Sequence, residues 1–366
     1  MKRIVNLISI ALVVVSCVQQ PVTSDLLSYI DAKGRQRPVL TGSDWEKKRG
    51  QMLDSLQAIM GLLPSLQQLP DFDIQYRDSL KETNYTRYTI NFRVAENEYL
   101  PAYLYIPARK IPQQKYPAML ALHPTGASGK KITDGEGAAN RGYAKELAHR
   151  GYAVIAPDYP SFGDLSDYDF QNDRYLSGTM KGIFNHIRCV DLLQSRPDVD
   201  HERIGVIGHS LGGHNAMFAA AFDTRLKVVI TSCGWTEFEY YNIGEEASKR
   251  YGGRLGPWAQ DRYMPLFRDK YQLNGEKIPF NFHEVIALIA PRWFFSNSPV
   301  NDSNFDVAGV KIGIEKANEA YRFLHVEDRL QVRYPIAEHD FPPDIRQEVY
   351  QFIDKLFDHQ PFINIK

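Results

Sequence analysis

The chain has 366 residues, 43% hydrophobic and 24% charged, with 25 glycines and 21 prolines. That balance excludes a disordered, collagen-like or coiled-coil chain and leaves room for one large α/β domain or two small ones. The 43 basic and 44 acidic side chains give a formal net charge of −1 with no long run of either sign, so the chain lacks the footprint of a nucleic-acid binder. Three cysteines without a Cys-x-x-Cys pair argue against a zinc ribbon and against a disulfide framework.

Lys2 and Arg3 precede an apolar stretch from Ile4 to Val15, interrupted by Asn6 and Ser9. The stretch is too short for a permanent membrane span and suits the apolar region of a secretory signal. It ends in Val14-Val15-Ser16-Cys17, which resembles the lipobox of bacterial lipoproteins. That resemblance implies a lipidated Cys17 as the mature N-terminus, a periplasmic or outer-membrane-attached protein, and membrane contact through the anchor alone. A plain cleaved signal in which Cys17 has no role is the alternative. Residues 18–42, polar and Pro-containing at their start, are assigned to a tether, and 43–366 to a single domain. Cys189 and Cys233 each sit in an apolar context, which predicts buried free thiols rather than a pair.

Ser43 is placed to cap a helix over about 44–60, stopped by Gly61 and Pro64. Alternating, β-branched and aromatic runs at 72–78, 86–94 and 99–106 predict an antiparallel opening. From Pro117 the rhythm changes. Short apolar runs at 118–123, 153–157, 204–208, 228–232, 293–296 and 330–334 are separated mostly by helix-length segments at 139–150, 173–194, 211–222, 307–323 and 345–357. Strands alternating with helices predict an α/β fold, a mostly parallel sheet covered on both faces. Residues 236–282 break the alternation with a long aromatic insertion, predicted to shape a binding site at the carboxyl edge of the sheet or to act as a packing extension.

Gly208-His209-Ser210-Leu211-Gly212-Gly213 is the most informative string. A buried strand precedes it and an Ala-rich helix follows, the context in which a serine is pushed out on a strained turn as a nucleophile. A neutral serine needs a base, and His339, just past the last predicted strand, is the candidate. The acid that orients it should lie between Ser210 and His339. Asp302 is favoured by its loop position, with Asp306 in the same loop and Glu237 as alternatives. Developing charge on a carbonyl oxygen calls for two backbone N–H groups, one from Leu211 and one from Thr125, with Gly126 as alternate because Pro124 has none. The remaining histidines are read as packed or surface residues, His209 and His214 included. No His-Glu-x-x-His pattern occurs, so no catalytic metal is predicted.

With the elbow at Ser210, the His123-Pro124-Thr125-Gly126 loop, the run Ala287 to Arg292 and Glu338-His339-Asp340-Phe341, the chain from about Pro117 to Phe357 resembles the α/β-hydrolase superfamily. More narrowly it is similar to the bacterial branch of dienelactone-hydrolase-like proteins and carbohydrate esterases such as acetyl xylan esterases. It departs from several members: Ser210 stands where dienelactone hydrolases carry cysteine, and Leu211 where glucuronoyl esterases carry arginine. The resemblance implies an α/β-hydrolase fold with antiparallel N-terminal strands, no cofactor, and a serine esterase acting through Ser210, Asp302 and His339 on acetyl or methyl ester substituents of a carbohydrate. Trp235, Tyr240, Tyr241 and Trp258 are candidates for stacking on sugar rings, and Arg292 or Arg141 for meeting a uronate carboxylate. A peptidase, a general carboxylesterase, and a non-catalytic surface binding protein remain the alternatives.

Overall fold

The computed structural model describes residues 25–108 and 115–362, so the predicted signal and the lipidation site at Cys17 lie outside the described residues. Strands β1 (Ser28–Ile30) and β2 (Gln36–Pro38) pair antiparallel in a small hairpin against helix α1 (Gly42–Met60). Gln51 of α1 accepts from the Ile30 N–H at 3.0 Å and donates to its carbonyl at 2.6 Å, and Leu26 and Val39 are buried in the main core. The predicted tether therefore fails for residues 25–42, which are folded against the domain by these contacts. Helix α1 is capped by Thr41 rather than Ser43: its hydroxyl accepts from the Asp44 N–H while the Asp44 carboxylate accepts from the Thr41 N–H, a reciprocal pair that Ser43 could not make.

The central sheet has nine strands. β3 (Gln75–Lys81), β4 (Tyr85–Ala95) and β5 (Glu98–Pro107) run antiparallel at one edge. β6 (Tyr116–Leu122), β7 (Ala153–Pro157), β8 (Val199–His209), β9 (Val228–Ser232), β10 (Trp293–Asn297) and β11 (Leu330–Arg333) form the parallel part. The order across the sheet is β11-β10-β9-β8-β6-β7-β5-β4-β3. The strand predicted at 72–78 lies three residues later, as an exposed edge strand whose side chains carry no core signal.

The parallel strands are apolar at nearly every position because both faces are covered. Leu120, Ile155, Val206 and Val229 enter one core cluster; their neighbours Met119, Val154, Ile207 and Ile230 enter the other. Helices α1, α3 (Gly178–Ser195), α4 (Leu211–Phe222), α7 (Phe282–Ile289) and α8 (Val307–Phe323) pack around the first cluster. Helices α2 (Tyr143–His149) and α9 (Pro343–Leu356) cover the second. Helix α7 was not anticipated, although Asn281 and Glu284 form a capping box at its start that marks it in the sequence. The insertion 236–282 holds two short helices, α5 (Glu245–Arg250) and α6 (Leu266–Asp269), and packs an aromatic cluster of Phe238, Phe267, Phe280 and Phe282. Cys189 and Cys233 are both buried and unbridged. Among the described residues no helix is long and apolar enough to cross a membrane.

His123, His186, His209 and His214 are all interior, and burial pushes each below the ordinary imidazole value, His186 to about 3. The folded protein thus holds these rings neutral, while the unfolded chain protonates them below its ordinary value of 6.5. Stability is complete above that value and is lost as pH falls towards the folded values, by about 1.4 kcal/mol per ring for each unit. Denaturant melts should therefore show lower stability at pH 5.5 than at pH 7, with a shallower loss in His186→Gln; a pH-independent midpoint would contradict this.

Candidate active site

β8 ends at His209 and α4 begins at Leu211, which leaves Ser210 at φ 54° and ψ −120° between them. The turn is tight because helix and strands nearly touch. A Cβ on Gly212 would lie 1.9 Å from the Leu122 carbonyl oxygen, and one on Gly208 would lie 2.1 Å from the Gly212 carbonyl oxygen. Only glycine fits at either position. The Ser210 N–H donates to the Ser232 carbonyl at 2.8 Å and its carbonyl accepts from the His214 N–H at 2.9 Å, so its backbone is fixed while the residue lines a cavity above the sheet.

His339 lies in the loop after β11, and its Nδ1 is 2.9 Å from Asp302 Oδ2 in the loop after β10. The other Asp302 oxygen accepts from the N–H groups of Asn304 and Phe305 at 2.9 and 3.1 Å. Burial works to raise this carboxyl, but the His339 hydrogen bond and charge together with those two N–H groups hold it below the ordinary carboxylate value. Phe305 stacks on the His339 ring with centroids 5.8 Å apart and lines the same cavity as Ser210. The two other acids weighed from sequence serve elsewhere. Asp306 caps α8 through the Ala308 N–H, and Glu237 is buried against His283 at 2.8 Å and Lys316 at 3.3 Å.

The His339 loop is clamped from several elements. Arg141 donates to the His339 carbonyl at 3.1 Å and pairs with Asp340 at 2.5 Å, while Asn140 donates to the other Asp340 oxygen. Asn297 at the end of β10 donates to the Asp340 carbonyl at 2.9 Å, and the Cys233 thiol donates to the same oxygen at 3.2 Å. Cys233 Sγ, the Asp302 carboxylate and the His339 ring lie within 4.8 Å of one another, the one potential metal-binding group among the described residues. Burial pushes the Cys233 thiol well above its ordinary value, which keeps it a neutral donor rather than a thiolate ligand.

The N–H groups of Leu211 and Thr125 make no hydrogen bond within the protein among the described residues, and both residues line the cavity. The loop that carries Thr125 is set by His123, whose ring contacts the Pro124 carbonyl through Nδ1 at 2.7 Å and accepts the Tyr159 N–H at Nε2. Beneath it, Lys130 is buried between Asp158 and Asp164 at 2.6 and 2.8 Å. Nothing in the spacing of these three residues marks that pairing in the sequence.

The cavity, about 340 Å³, is walled by Tyr241, Tyr251, Trp258, Tyr263 and Phe305, and none of its lining residues is formally charged. Trp258 is on this wall; Trp235 and Tyr240 are not. Trp235 is buried with its indole N–H on Ser296, because the residues just after β9 run under α8 rather than into the opening. Tyr240 ends a short helical turn and faces outward. Neither arginine suggested for a carboxylate reaches the cavity: Arg292 is spent on the carbonyls of Ala220, Asp223, Leu226 and Leu288, and Arg141 on the His339 loop. His214, set aside in the sequence, lies one turn beyond Ser210 on α4 and faces the cavity. Both of its ring nitrogens and the indole nitrogen of Trp258, 4.3 Å away between ring centroids, are buried without a hydrogen-bond partner.

Two family models match parts of the chain, one for a fungal glucuronyl esterase over residues 170–324 and one for FrsA-like esterases over residues 69–236. Carbohydrate esterase MZ0003, from an unknown prokaryotic organism, is 28% identical over 205 residues, which cover 51% of this chain and 46% of that protein. Putative hydrolase YtaP of Bacillus subtilis is 28% identical over 270 residues, 71% of this chain and 84% of that protein. The chain thus spans about half the length of the first of these relatives and most of the second. The structure superposes on a glucuronoyl esterase from Solibacter usitatus with TM-score 0.68 at 19% identity, covering 90% of this chain and 97% of that one. The structure has the α/β-hydrolase fold. Its similarities lie on the carbohydrate-esterase branch, among hydrolases of carboxylic ester bonds.

The pairing at His339 separates the candidate acids experimentally. Asp302→Asn should lower kcat on a small activated ester by about 10³- to 10⁴-fold, since the ring loses the carboxylate that fixes its tautomer. Glu237→Gln should change kcat only a few-fold and lower the melting temperature. Reversed effects in steady-state kinetics would move the acid to Glu237.

Proposed function

We propose that this protein is an exported serine esterase that removes an ester substituent from a polysaccharide or oligosaccharide. The observation that carries the substrate class is the uncharged cavity beside Ser210, walled by Tyr241, Tyr251, Trp258, Tyr263 and Phe305 with Thr125, Gln260 and Asn304 among its polar lining residues. A sugar offers C–H faces to the rings and hydroxyls to the polar groups of such a wall. The relatives that carry carbohydrate-esterase names support the same class.

In this reading Ser210 Oγ attacks the ester carbonyl while His339 takes its proton, and Asp302 stabilises the imidazolium that forms. The N–H groups of Leu211 and Thr125 receive the oxyanion. His339 then returns the proton to the leaving alkoxide, and a water activated by the same ring cleaves the acyl-enzyme. The acyl group is acetate if the substituent is an acetyl ester. It is the sugar acid if the substituent is a methyl ester of a uronate, in which case methanol leaves first.

Acetylated xylan and methyl-esterified pectin, incubated with the enzyme and with Ser210→Ala, test this directly. Acetate or methanol should be released by the enzyme, with the variant at least about 10⁴-fold slower and no longer labelled by a fluorophosphonate. Hydrolysis of a small activated ester alone would leave the chemistry standing and remove the carbohydrate. A peptidase would instead cleave peptides at the same serine, and a binding protein would not be labelled. Export rests on the pattern from Lys2 to Cys17. Cys17→Ser should abolish fatty-acid labelling of the expressed protein and release it from membranes; unchanged membrane association would argue against the anchor.

A further inference from the structure

A second cavity, about 530 Å³, adjoins the first and shares Gln260 with it. Unlike the first, it carries charge, with Arg262, Arg268 and Asp261 in its wall. Arg268 is committed, lying 2.6 Å from Asp269 and 3.6 Å from Asp261. The Arg262 guanidinium has no carboxylate or other hydrogen-bond partner among the described residues; it rests on the rings of Phe162 and Tyr263, 5.4 and 5.8 Å from their centroids. Tyr263 lines the first cavity, so one ring separates this cation from the space above Ser210.

The position of Arg262 is fixed by its backbone. The Gly178 and Thr179 N–H groups at the start of α3 donate to the carbonyls of Asp261 and Tyr263, and the Tyr159 hydroxyl donates to the carbonyl of Arg262 at 2.7 Å. Gly178 lets the two segments meet, since a Cβ there would fall 2.3 Å from the Arg262 oxygen. Ser161, at φ 77°, and Ser166 line the same cavity. A half-buried guanidinium without a counterion in this polar cavity forms a receptor for an anion that accepts hydrogen bonds. The planar fork of arginine matches a carboxylate in particular.

We propose that this second cavity is a subsite for a carboxylate carried by the same substrate, that of a uronic acid unit neighbouring the esterified sugar, with Arg262 as its counterion. This rests on the carbohydrate reading above and extends it: the ester enters the neutral cavity at Ser210 while a charged neighbour sets the register of the chain across Gln260.

Two measurements test it together. The first is the ratio of kcat/KM for acetylated xylo-oligosaccharides with and without a glucuronate side group. The second is calorimetric binding of short galacturonate oligomers, compared with neutral xylo-oligosaccharides, to Ser210→Ala. Arg262→Gln should lower the ratio about tenfold and weaken galacturonate binding by a similar factor, with Arg262→Lys intermediate. Added salt should weaken galacturonate binding to Ser210→Ala and have little effect once Arg262→Gln is combined with it. A ratio and a binding constant unmoved by Arg262→Gln would overturn the subsite while the esterase reading stood. Arg262-dependent binding of galacturonate without turnover of any oligosaccharide ester would leave the subsite in place and overturn the esterase reading.

Discussion

Everything at this site depends on the approach of α4 to the ends of β6, β8 and β9. The helix starts so close to the sheet that the carbonyls of Leu122 and Gly212 occupy the places where side chains at residues 212 and 208 would go. The chain can make that junction only by putting Ser210 into a positive-φ conformation, which a non-glycine residue adopts at a cost of order 1–3 kcal/mol. The strain is held by the hydrogen bond to Ser232 and by the first turn of the helix. In return the serine stands above the carboxyl edge of the sheet with the N–H of Leu211 unspent beside it. A junction one residue longer would relax the backbone and lose both.

The other parts of the site are brought to this point by polar contacts rather than by apolar packing. The Asp340 carbonyl collects hydrogen bonds from Asn297 and Cys233, and Arg141 ties the same loop to the segment before α2. His209 lies under His339 with ring centroids 4.9 Å apart; burial, and then the charges of Arg141 and His339, keep it neutral. In the proposed mechanism a second cation directly beneath His339 would oppose the imidazolium that forms, so the neutrality of His209 suits that role. These groups come from β8, β9, β10, the loop after β11 and the start of α2, which means that the site forms only when the sheet is complete.

Much of this was legible in the sequence, for physical reasons that differ by element. The parallel strands declare themselves because burial on both faces demands unbroken apolar runs, and the elbow because its glycines and flanking elements leave few other readings. Asp302 and His339 were placed by loop position, and the structure puts them in hydrogen-bond contact. The insertion was not legible at the level of single residues. Trp235, Trp258 and Tyr240 look alike as aromatic residues near the end of a strand, yet only Trp258 reaches the cavity, since that depends on how short helices and turns stack over the sheet. His214, a histidine inside an Ala-rich helix, reads as packing and is packed on Phe218, Trp258 and Phe282; its missing hydrogen bonds exist only in three dimensions. Arg262 carries no sequence signal at all, because the absence of a partner is a property of its surroundings.

In the proposed function the two adjoining cavities divide the work of recognition by charge. A neutral, aromatic chamber around Ser210 would keep the dielectric low where an oxyanion develops, which makes each N–H donor more effective than it is in water. A free cation in that chamber would compete with those donors and would also hold an acidic product after cleavage. Placing the arginine one ring away, behind Tyr263, keeps its charge available for attraction and alignment without putting it against the reacting carbonyl. On the proposed reading the same aromatic wall serves two purposes: its inner face offers apolar surface to a sugar, and its outer face seats the guanidinium.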